Sequence, residues 1–495
     1  MPENIMSDVT HILNIAQMYE ADRLAIASGV SGAELMETAG TAIAAHIEAH
    51  WDICPLLVLC GPGNNGGDGY VIARQLMAAG WPVTVAAFGD PAALKGDARL
   101  MYDAFEGEVR PVNDIQLSEN TLVVDAIFGA GFKGDLPEVI RAVFAQIAAA
   151  KLDVVAVDMP SGVDGNTGAV ASGAPDALLT VSFFRPKVGH LFYPGRQKVG
   201  RLEIVDIGIP AAVLKDMDCQ LVENTPAFWQ DALPALSPTG HKYTRGHVAV
   251  AGGGLSSSGA ARIAARAALR TAAGAVTVLC PSSALMTYSV TLEAVMVKAI
   301  PDADMFAQWL EARRIGAVLI GPGNGVSERT RQFVGKALQS SAHVVLDADA
   351  LTVFEDDPDA LFDLIAAKHV GQVVLTPHEA EFARLFSDDG PALERCQAAA
   401  RKSGATVILK GATTVIAAPS GAAVVNICAP PWLATAGAGD ALAGMVTALL
   451  SGGGSALKKV AAAVWIHSQA ATRFGPGLIA EDIETEIPYI LQNFN

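Results

Sequence analysis

The stretch LCGPGNNGGDGY, residues 59–70, lies between a short apolar run and a helical pattern. Pro55–Cys60 predicts a buried strand and Tyr70–Ala79 predicts a helix, so the stretch forms the turn of a strand–turn–helix unit. Its Gly61, Gly63 and Gly66 match G-x-G-x-x-G, a pattern typical of dinucleotide-binding α/β domains.

The same turn carries Asn64, Asn65 and Asp68, which the dinucleotide pattern does not require. A carboxylate at a helix N-terminus competes with a pyrophosphate for the same backbone N–H groups and the same end of the helix dipole. We therefore do not expect this turn to hold a hydride-carrying cofactor in the usual way.

Outward from this turn, short apolar runs alternate with helical patterns in two separate series. The first covers residues 56–209 and the second begins near His247, and such alternation predicts parallel strands buried on both faces. The proline-containing segment 209–240 is interpreted as a linker, and Ile12–Ile47 as two helices that precede the first strand. We expect an α/β protein with two domains, residues 1–220 and 221–495.

The composition and charge of the chain limit the classes of function that we expect. The 495 residues are 51% hydrophobic and carry a formal net charge of −17, which argues against a nucleic-acid partner. The six cysteines form no C-x-x-C pair, so we expect reduced thiols rather than a zinc site.

The first residues lack a basic, apolar signal pattern, and the uncharged stretches are interrupted by Gly, Pro and Ser, so a cytoplasmic protein without a membrane span is expected. A homo-oligomer is expected, because enzymes of this size commonly form symmetric assemblies.

Three polar loops follow predicted strands of the first series. They supply Asn65, Asp125, Asp158 and Ser161, which converge if the strands are neighbours in a parallel sheet. Carboxylate, amide and hydroxyl oxygens suit a hard cation. The glycines near residue 130 allow backbone N–H groups to approach a phosphate. The alternative is that the carboxylates only cap helices and the glycines only turn the chain.

These loops, together with DMPSG, SFFRPKVGHLFYPG and the helical segment containing LMETAG, resemble the NAD(P)HX epimerase domain over residues 10–213. The resemblance implies a Rossmann-like three-layer αβα sandwich that binds a hydrated nicotinamide nucleotide as substrate. It implies a potassium ion on Asn65, Asp125 and Ser161. The implied substrate contacts are Asn64, Asn65, Gly66, Gly67, Asp68, Gly129, Ala130, Gly131, Phe132, Lys133, Gly134, Asp135 and Asp158.

Epimerisation at C6 of the ring requires loss and return of hydroxide through an iminium-like ion, which an acid/base carboxylate can assist. Asp158 is the candidate, and Lys187 is a second candidate for which a solvated loop lysine is an equal alternative.

The second series of strands and helices contains three motifs that carry candidate catalytic or phosphate-binding residues. In TAGAGDALAG, residues 435–444, a glycine turn opens a helix and places Asp440 beside an anion hole. LKGATT, residues 409–414, offers Lys410 and hydroxyls to a phosphate, and TPHEAEFARL, residues 376–385, begins a helix with His378. Separately, each motif is compatible with an ordinary helix start or capping histidine.

Their order along the chain resembles the ribokinase-like superfamily, and TPHEAEFARL with HKYTRGHVAVAGG resembles the ADP-dependent NAD(P)H-hydrate dehydratase over residues 237–492. The resemblance implies a ribokinase-like αβα domain and ADP bound by Lys410, Gly411, Ala412, Thr413, Thr414 and Gly439. It implies hydrate contacts from Ala260, Gly323, His378 and Asp440, with Asp440 as base. Magnesium is expected, with Asp347 and Glu379 as candidate ligands. Tyr243 stands where many relatives carry Gly.

The two resemblances together imply a fused repair enzyme that acts on NADHX and NADPHX. One half would interconvert the R and S hydrates, and the other would dehydrate the S form with ADP, giving AMP and phosphate. One alternative is a small-molecule kinase of the hydroxymethylpyrimidine or thiazole type fused to a nucleotide-binding domain. Another is an N-terminal half that is a binding module without catalysis.

Overall fold

The computed structural model describes residues 10–234, 239–387 and 389–494, which form two compact α/β units. The first unit is His11–Cys219. The second runs from Gln220 to the end of the chain and includes Thr10. The predicted fold class is confirmed in both units.

The described residues of the first unit form seven strands, all parallel, in the order β3-β2-β1-β4-β5-β6-β7. The strands are β1 Leu56–Cys60, β2 Val83–Ala87, β3 Val109–Pro111, β4 Leu122–Ala126, β5 Val154–Val157, β6 Leu179–Phe183 and β7 Arg201–Val205. The helices are α1 Ile15–Ala27, α2 Gly32–His50, α3 Asn64–Ala78, α4 Gly96–Asp103, α5 Glu138–Ala149, α6 Val188–Leu191 and α7 Gly195–Val199.

Helix α3 begins at Asn64, six residues earlier than predicted from the sequence. The glycines explain the difference, because they let the first turns of the helix lie directly against β1. A Cβ on Gly66 would be 2.0 Å from the carbonyl oxygen of Gly61, and one on Gly69 would be 2.8 Å from the Cys60 Sγ. The stretch expected to be a loop is therefore mostly a helix N-terminus.

The described residues of the second unit form a ten-stranded sheet in the order β11-β10-β9-β12-β13-β14-β15-β16-β17-β8. The strands are β8 Leu221–Glu223, β9 His247–Ala251, β10 Ala275–Cys280, β11 Met296–Ala299, β12 Ala317–Ile320, β13 His343–Leu346, β14 Val373–Leu375, β15 Thr406–Leu409, β16 Thr414–Ala417 and β17 Ala423–Asn426. The helices are α8 Pro226–Trp229, α9 Ser258–Thr271, α10 Leu285–Thr291, α11 Ala303–Ala312, α12 Glu328–Gln339, α13 Asp349–Thr352, α14 Pro358–Ala366, α15 Glu379–Leu385, α16 Ala392–Ser403, α17 Ala438–Leu450, α18 Ala456–Phe474 and α19 Ala480–Leu491.

The interpretation of residues 209–240 as a linker is partly wrong, because strand β8 in this segment belongs to the sheet of the second unit. Strand β8 pairs in parallel with β17, and the buried Asn224 behind it donates to the Asn426 Oδ1 at 3.0 Å. The indole of Trp229 donates to the Asn224 Oδ1 at 3.0 Å. The prolines suggested a linker, but these buried partners are remote in sequence and supply the hydrogen bonds that fix the segment.

The sheet of the second unit is also not wholly parallel. Strand β16 pairs antiparallel with both β15 and β17, so the LKGATT motif forms the turn of a hairpin. Among the described helices, none combines the length and the apolarity that a bilayer crossing demands. The six cysteines, all of which lie in the described ranges, are free thiols.

Helix α17 is buried over nearly all of its surface and packs against α9. At their crossing, a Cβ on Gly444 would be 2.0 Å from the carbonyl oxygen of Ala264. The two backbones are therefore in direct contact, and this contact fixes the helix that carries Asp440 in its first turn.

We expect Gly444→Ala to lower the free energy of unfolding of the second unit by about 1–3 kcal/mol, because the added methyl forces the helices apart. Gly335→Ala is the matched control, since Gly335 lies in α12 with open space around its Cα. That substitution should raise stability by about 0.5–1 kcal/mol through helix propensity. Urea unfolding measures both, and equal effects of the two substitutions would contradict the close packing.

Candidate functional sites at the strand ends of the two units

In the first unit, β1 and β4 are neighbours whose following segments form separate walls of a cleft. The cleft has a volume of about 510 Å³. The predicted contacts that line it are Asn64, Asn65, Asp68, Gly129, Ala130, Gly131, Phe132 and Asp158. Gly66 and Gly67 instead lie beneath it, packed against β1 and α2, and Lys133, Gly134 and Asp135 are not among its lining residues.

Asp158 and Lys187 form a buried ion pair in this cleft. The Lys187 Nζ lies 3.0 Å from the Asp158 Oδ1 and also donates to the Ser182 Oγ at 2.9 Å and the Phe183 carbonyl at 3.1 Å. Lys187 is 1% exposed, so the interpretation as a solvated lysine is wrong. Burial disfavours the Asp158 carboxylate, but the charges of Lys187 and His190 outweigh burial and lower the pKa of Asp158 to about 2.

The backbone of Asp158 is strained. Its φ is +62°, a left-handed backbone conformation that residues other than glycine rarely adopt. The carbonyl of Asp158 accepts a hydrogen bond from the His190 Nε2 at 2.7 Å, and the carboxylate Oδ2 accepts one from the Ala130 N–H at 2.9 Å. The residue is thus held from both sides in a fixed orientation toward the cleft. His190 was missed from the sequence, although its position three residues after Lys187 could have indicated it.

Three further carboxyl groups line the cleft, Asp22 from α1, Asp68 from α3 and Asp97 from α4. Burial raises the pKa of Asp22 to about 6, and burial together with the charges of Asp158 and Asp22 raises the pKa of Asp68 well above its usual value. The cleft therefore combines Asp158, whose pKa is lowered, with Asp22 and Asp68, whose pKa values are raised. Asp22 was not a predicted site residue, because α1 precedes the sheet and nothing local shows where it lies.

The predicted cation ligands are only partly in contact. The Ser161 Oγ donates to the Asp125 Oδ1 at 2.7 Å, and the Ser161 N–H donates to the Asp125 Oδ2 at 2.8 Å. Asn65 lies beside them at Gly129, where an added Cβ would be 2.9 Å from the Asn65 Oδ1, and its buried Nδ2 has no partner among the described residues. Burial raises the pKa of Asp125 to about 6, and the hydrogen bonds from Ser161 and the Ile127 N–H only partly offset burial.

In the second unit, the predicted residues gather where β9, β12, β13, β14 and β15 end. The Lys410 Nζ lies 2.9 Å from the Asp347 Oδ1 and 4.0 Å from the Glu381 Oε2. Burial would lower the pKa of Lys410, but Asp347, Glu381 and Asp440 outweigh it and raise that pKa. The ammonium is thus fixed among carboxylates rather than free in solvent.

Asp440 stands in the first turn of α17, after a glycine turn in which Gly437 has a φ of +86°. Burial and the charge of Asp347, partly offset by Lys410, raise the pKa of Asp440 to about 6. A Cβ on Gly439 would be 3.5 Å from the Lys410 Nζ. The carboxyl group, the glycine turn and the ammonium therefore form one contiguous site, as the motif order predicts.

Two expectations about neighbouring side chains need correction. Glu379, a candidate magnesium ligand, is exposed and pairs with Arg395 at 2.9 Å, whereas Glu381 faces Lys410. The hydroxyl of Thr414 donates to the Gly411 carbonyl at 3.2 Å within its own hairpin, so it is not open to a phosphate. At this turn Gly411 and Ala412 are exposed and Thr413 is half-buried.

His378 caps helix α15 through its ring. Its Nδ1 accepts from the Ala380 N–H at 3.1 Å, and the Glu381 carboxylate accepts from the His378 N–H at 2.9 Å. The H-x-x-E spacing of this capping box is the signal that could have identified Glu381. The outer edge of the ring remains exposed, so a capping role and a ligand contact are compatible.

Ala260 and Gly323 lie on the opposite side of the site from the hairpin, after β9 and β12. Gly323 has a φ of +67°, and its carbonyl accepts from the Ser257 Oγ at 2.7 Å. Ala260 is in the first turn of α9 and is partly exposed. The site therefore has two sides, with the hairpin on one and Ala260 and Gly323 on the other, and each side can contact a separate ligand.

We expect Lys187→Met to destabilise the first unit by about 3–5 kcal/mol, because it leaves the Asp158 carboxylate buried without its cation. The effect should shrink as the pH falls from about 4 toward 2, because the stabilisation that the ion pair gives the wild type is lost over this range. The double substitution Asp158→Asn with Lys187→Met should recover much of the loss. Urea unfolding measures all three proteins. A double substitution no more stable than Lys187→Met alone would contradict the pairing.

Two family models match separate parts of the chain. Residues 32–189 match the family model described as YjeF-related protein N-terminus, and residues 248–488 match the one described as NAD(P)H-hydrate dehydratase. The second unit is similar in structure to the Bacillus subtilis ADP/ATP-dependent NAD(P)H-hydrate dehydratase co-crystallised with ATP and Mg²⁺, with 25% identity over 54% of this chain and 96% of that chain and a TM-score of 0.46.

Two relatives match over nearly their whole length. Bifunctional NAD(P)H-hydrate repair enzymes of Moorella thermoacetica and Salinibacter ruber are each 34% identical to the chain. The matches cover 98% and 97% of the chain and 97% and 96% of the relatives. The chain belongs to the family of bifunctional NAD(P)H-hydrate repair enzymes.

Proposed function

We propose that the chain repairs hydrated nicotinamide nucleotides with one active site in each unit. The first unit interconverts the R and S forms of NADHX and NADPHX, and the second dehydrates the S form using ADP. The observation that carries the proposal is the contrast between Asp158, held ionised by Lys187, and Asp440, whose pKa of about 6 suits a base near neutral pH. Family membership supplies the substrate class.

In the first unit, we assign charge stabilisation to Asp158. Departure of hydroxide from C6 leaves an iminium-like cation that the carboxylate stabilises. A carboxyl group with a pKa of about 2 is a weak proton carrier, so the acid/base role first considered for Asp158 is better assigned to Asp68. Lys187 donates all its hydrogen bonds within the protein and acts as a positioning residue.

In the second unit, Asp440 accepts the proton of the C6 hydroxyl while that oxygen forms a bond to the β-phosphorus of ADP. The bond from this phosphorus to the bridging oxygen breaks, and AMP leaves. The C6–O bond then breaks with the help of the ring nitrogen lone pair, phosphate departs, and a proton leaves C5 to restore the dihydronicotinamide. The N–H groups of the turn Gly437–Gly439 are suited to stabilise the transferring phosphoryl group.

The proposed ADP site comprises Gly439 and the hairpin residues Lys410–Thr414, of which Thr414 offers no free hydroxyl. The exposed backbone at Gly411 and Ala412 suits phosphate oxygens, and the Lys410 Nζ lies beside Gly439, the residue before Asp440. Magnesium would neutralise charge on the nucleotide phosphates, and Asp347, beside Lys410, is the candidate carboxylate that would help to hold it. In the described ranges, no group of three His, Cys, Asp or Glu side chains is placed to hold a metal ion by itself.

Potassium is proposed at Asn65, Asp125 and Ser161 in the first unit. The oxygen donors fit a hard cation, and the buried Asp125 carboxylate, whose charge no cation offsets among the described residues, favours one there. A bound cation would offset that charge and hold the loop after β4 against Ser161. The cytoplasmic location and homo-oligomeric assembly expected from the sequence stay predictions.

A coupled assay with separated R and S NADHX, ADP, Mg²⁺ and K⁺ tests whether the first unit epimerises the hydrate and the second unit dehydrates it. Asp440→Asn should abolish the return of reduced-nicotinamide absorbance but leave epimerisation intact. Asp158→Asn should do the reverse, so that S hydrate is still dehydrated and R hydrate accumulates apart from slow spontaneous conversion. A phosphorylated hydrate retained without phosphate release would support the kinase alternative, and epimerisation unaffected by Asp158→Asn would remove that residue from the mechanism.

We expect KCl to raise the melting temperature of the protein more at pH 8 than at pH 5. Because the folded pKa of Asp125 is about 6, above its ordinary value, protonation stabilises the fold at low pH, and this contribution is lost as the pH rises through about 6. A cation can replace it only when the carboxylate is ionised. Choline chloride at equal ionic strength controls for screening.

Asp125→Asn should abolish this pH-dependent effect of KCl, while Asp52→Asn, at an exposed position, should retain it. Differential scanning fluorimetry measures the shifts. An equal effect of KCl and choline chloride at both pH values would contradict a potassium site.

A further inference from the structure

The loop before β9 and the segment after α11 enclose a cavity in the second unit that the proposed reactions do not use. The cavity has a volume of about 680 Å³, which lies within the range of sites that hold small organic ligands. Strands β9, β10 and β11 also contribute to its walls. The motif HKYTRG, residues 241–246, forms the loop, and Tyr243, which stands where many relatives carry Gly, lines the cavity.

This cavity is separate from the dehydratase site. It is lined by Ser451, the residue that follows the last turn of α17, and a Cβ built on Gly246 would be 2.1 Å from the Ser451 Oγ. Asp440 lies in the first turn of the same helix. A rise of 1.5 Å per residue places the two ends of this helix segment roughly 17 Å apart. A ligand in the cavity is therefore distinct from ADP or hydrate bound beside Asp440.

Three aromatic rings line the cavity. The centroid of the His247 ring is 6.0 Å from that of Tyr243 and 5.9 Å from that of Trp309. Burial, together with the charges of Arg313 and Lys242, lowers the pKa of His247, so its ring is neutral near pH 7. Tyr243 is 54% exposed and Trp309 is half-buried, so both rings are open to a planar ligand.

Three exposed cations line the same cavity, namely Lys298, Arg313 and Arg314. Their side chains form no ion pair with any residue that the structure describes, and none of the described lining residues is Asp or Glu. The chain as a whole has a net charge of −17, so this is a local concentration of positive charge on an acidic protein. Such a cluster suits the oxygens of a phosphate group.

The backbone of Arg314 supports a ligand role independently of the charge. Arg314 follows Arg313, the C-cap of α11, and has a φ of +50°. Glycine is the usual residue in this left-handed conformation after a helix, because a side chain there strains the backbone. Strained residues of this kind cluster at ligand sites. Because Arg314 also lines the cavity, a guanidinium used for binding accounts for an arginine at this position.

We propose that this cavity binds a nucleotide or another phosphorylated molecule that carries a planar heteroaromatic ring. The ring lies against Tyr243 and Trp309, and the phosphate contacts Lys298, Arg313 and Arg314. The cations alone would suit any anion and the rings alone any flat apolar molecule, so the class of ligand follows from the two together. The site is additional to the two active sites, and the inference does not depend on the reactions proposed for them.

Protection of Lys298 from acetylation tests the proposal in the full chain, with AMP as the probe. AMP should slow the reaction of Lys298 with acetic anhydride, as measured by peptide mass spectrometry, and leave Lys402, an exposed lysine of α16, unaffected. Because the readout is a single side chain of the cavity, AMP bound in an active site does not contribute. Adenosine and inorganic phosphate at the same concentration should each protect Lys298 less than AMP, since each lacks one of the two groups.

Arg314→Gly separates binding from folding, because glycine adopts the left-handed backbone without strain. Loss of the charge-assisted hydrogen bonds should raise the AMP concentration that halves the acetylation rate of Lys298 by about tenfold or more. The melting temperature should not fall. Tyr243→Ala should also weaken protection by AMP but not protection by phosphate. Arg401→Gln, at an exposed position of α16, is the control for loss of one positive charge and should behave as the wild type.

Three results would overturn the proposal. The first is that AMP does not protect Lys298 in the wild type, and the second is that phosphate protects it as strongly as AMP. The third is that Arg314→Gly keeps the protection of the wild type.

Discussion

Parallel pairing of strands that are distant in the sequence is the constraint on which both sites depend. In the first unit β1 pairs with β4, which places Leu59 opposite Asp125, and in the second unit β9 pairs with β12. The chain leaves each of these pairs in two directions, so the loops at their carboxyl ends separate and leave a crevice. The polar site residues of each unit lie at or beyond this edge, because the strands behind it are buried along their length.

The two units use the same residue type in opposite electrostatic settings. Asp158 is paired with a buried ammonium that lowers its pKa, whereas Asp440 shares Lys410 with other carboxylates and has a raised pKa. Neither shift follows from the position of the aspartate at a strand or helix end. Both follow from burial and from how many charges of each sign lie within a few ångströms. One fold class thus holds aspartates with opposite pKa shifts in a single chain.

Local patterns in the sequence predict the α/β class, most strands and the positions of the motif residues. They work because a parallel strand is a short apolar run and its polar site residues come at or just after its end, as with Asp125 near the end of β4. The features that these patterns do not predict depend on contacts between residues that are remote in the sequence. The early start of α3 depends on close packing at Gly66, and the burial of Lys187 depends on Asp158 and Ser182. The choice of Glu381 over Glu379 depends on which face of α15 meets Lys410.

The same dependence on remote contacts applies to the segment before the second series of strands. Strand β8 covers the outer edge of β17, whose residues Ala423–Asn426 are all buried in the intact sheet. A polypeptide that began at His247 would expose that edge as a row of unpaired N–H and C=O groups beside apolar side chains. Such an edge can pair with another copy of itself. Separating the two activities of this chain without promoting self-association would therefore require keeping Gln220–Leu233 with the second unit.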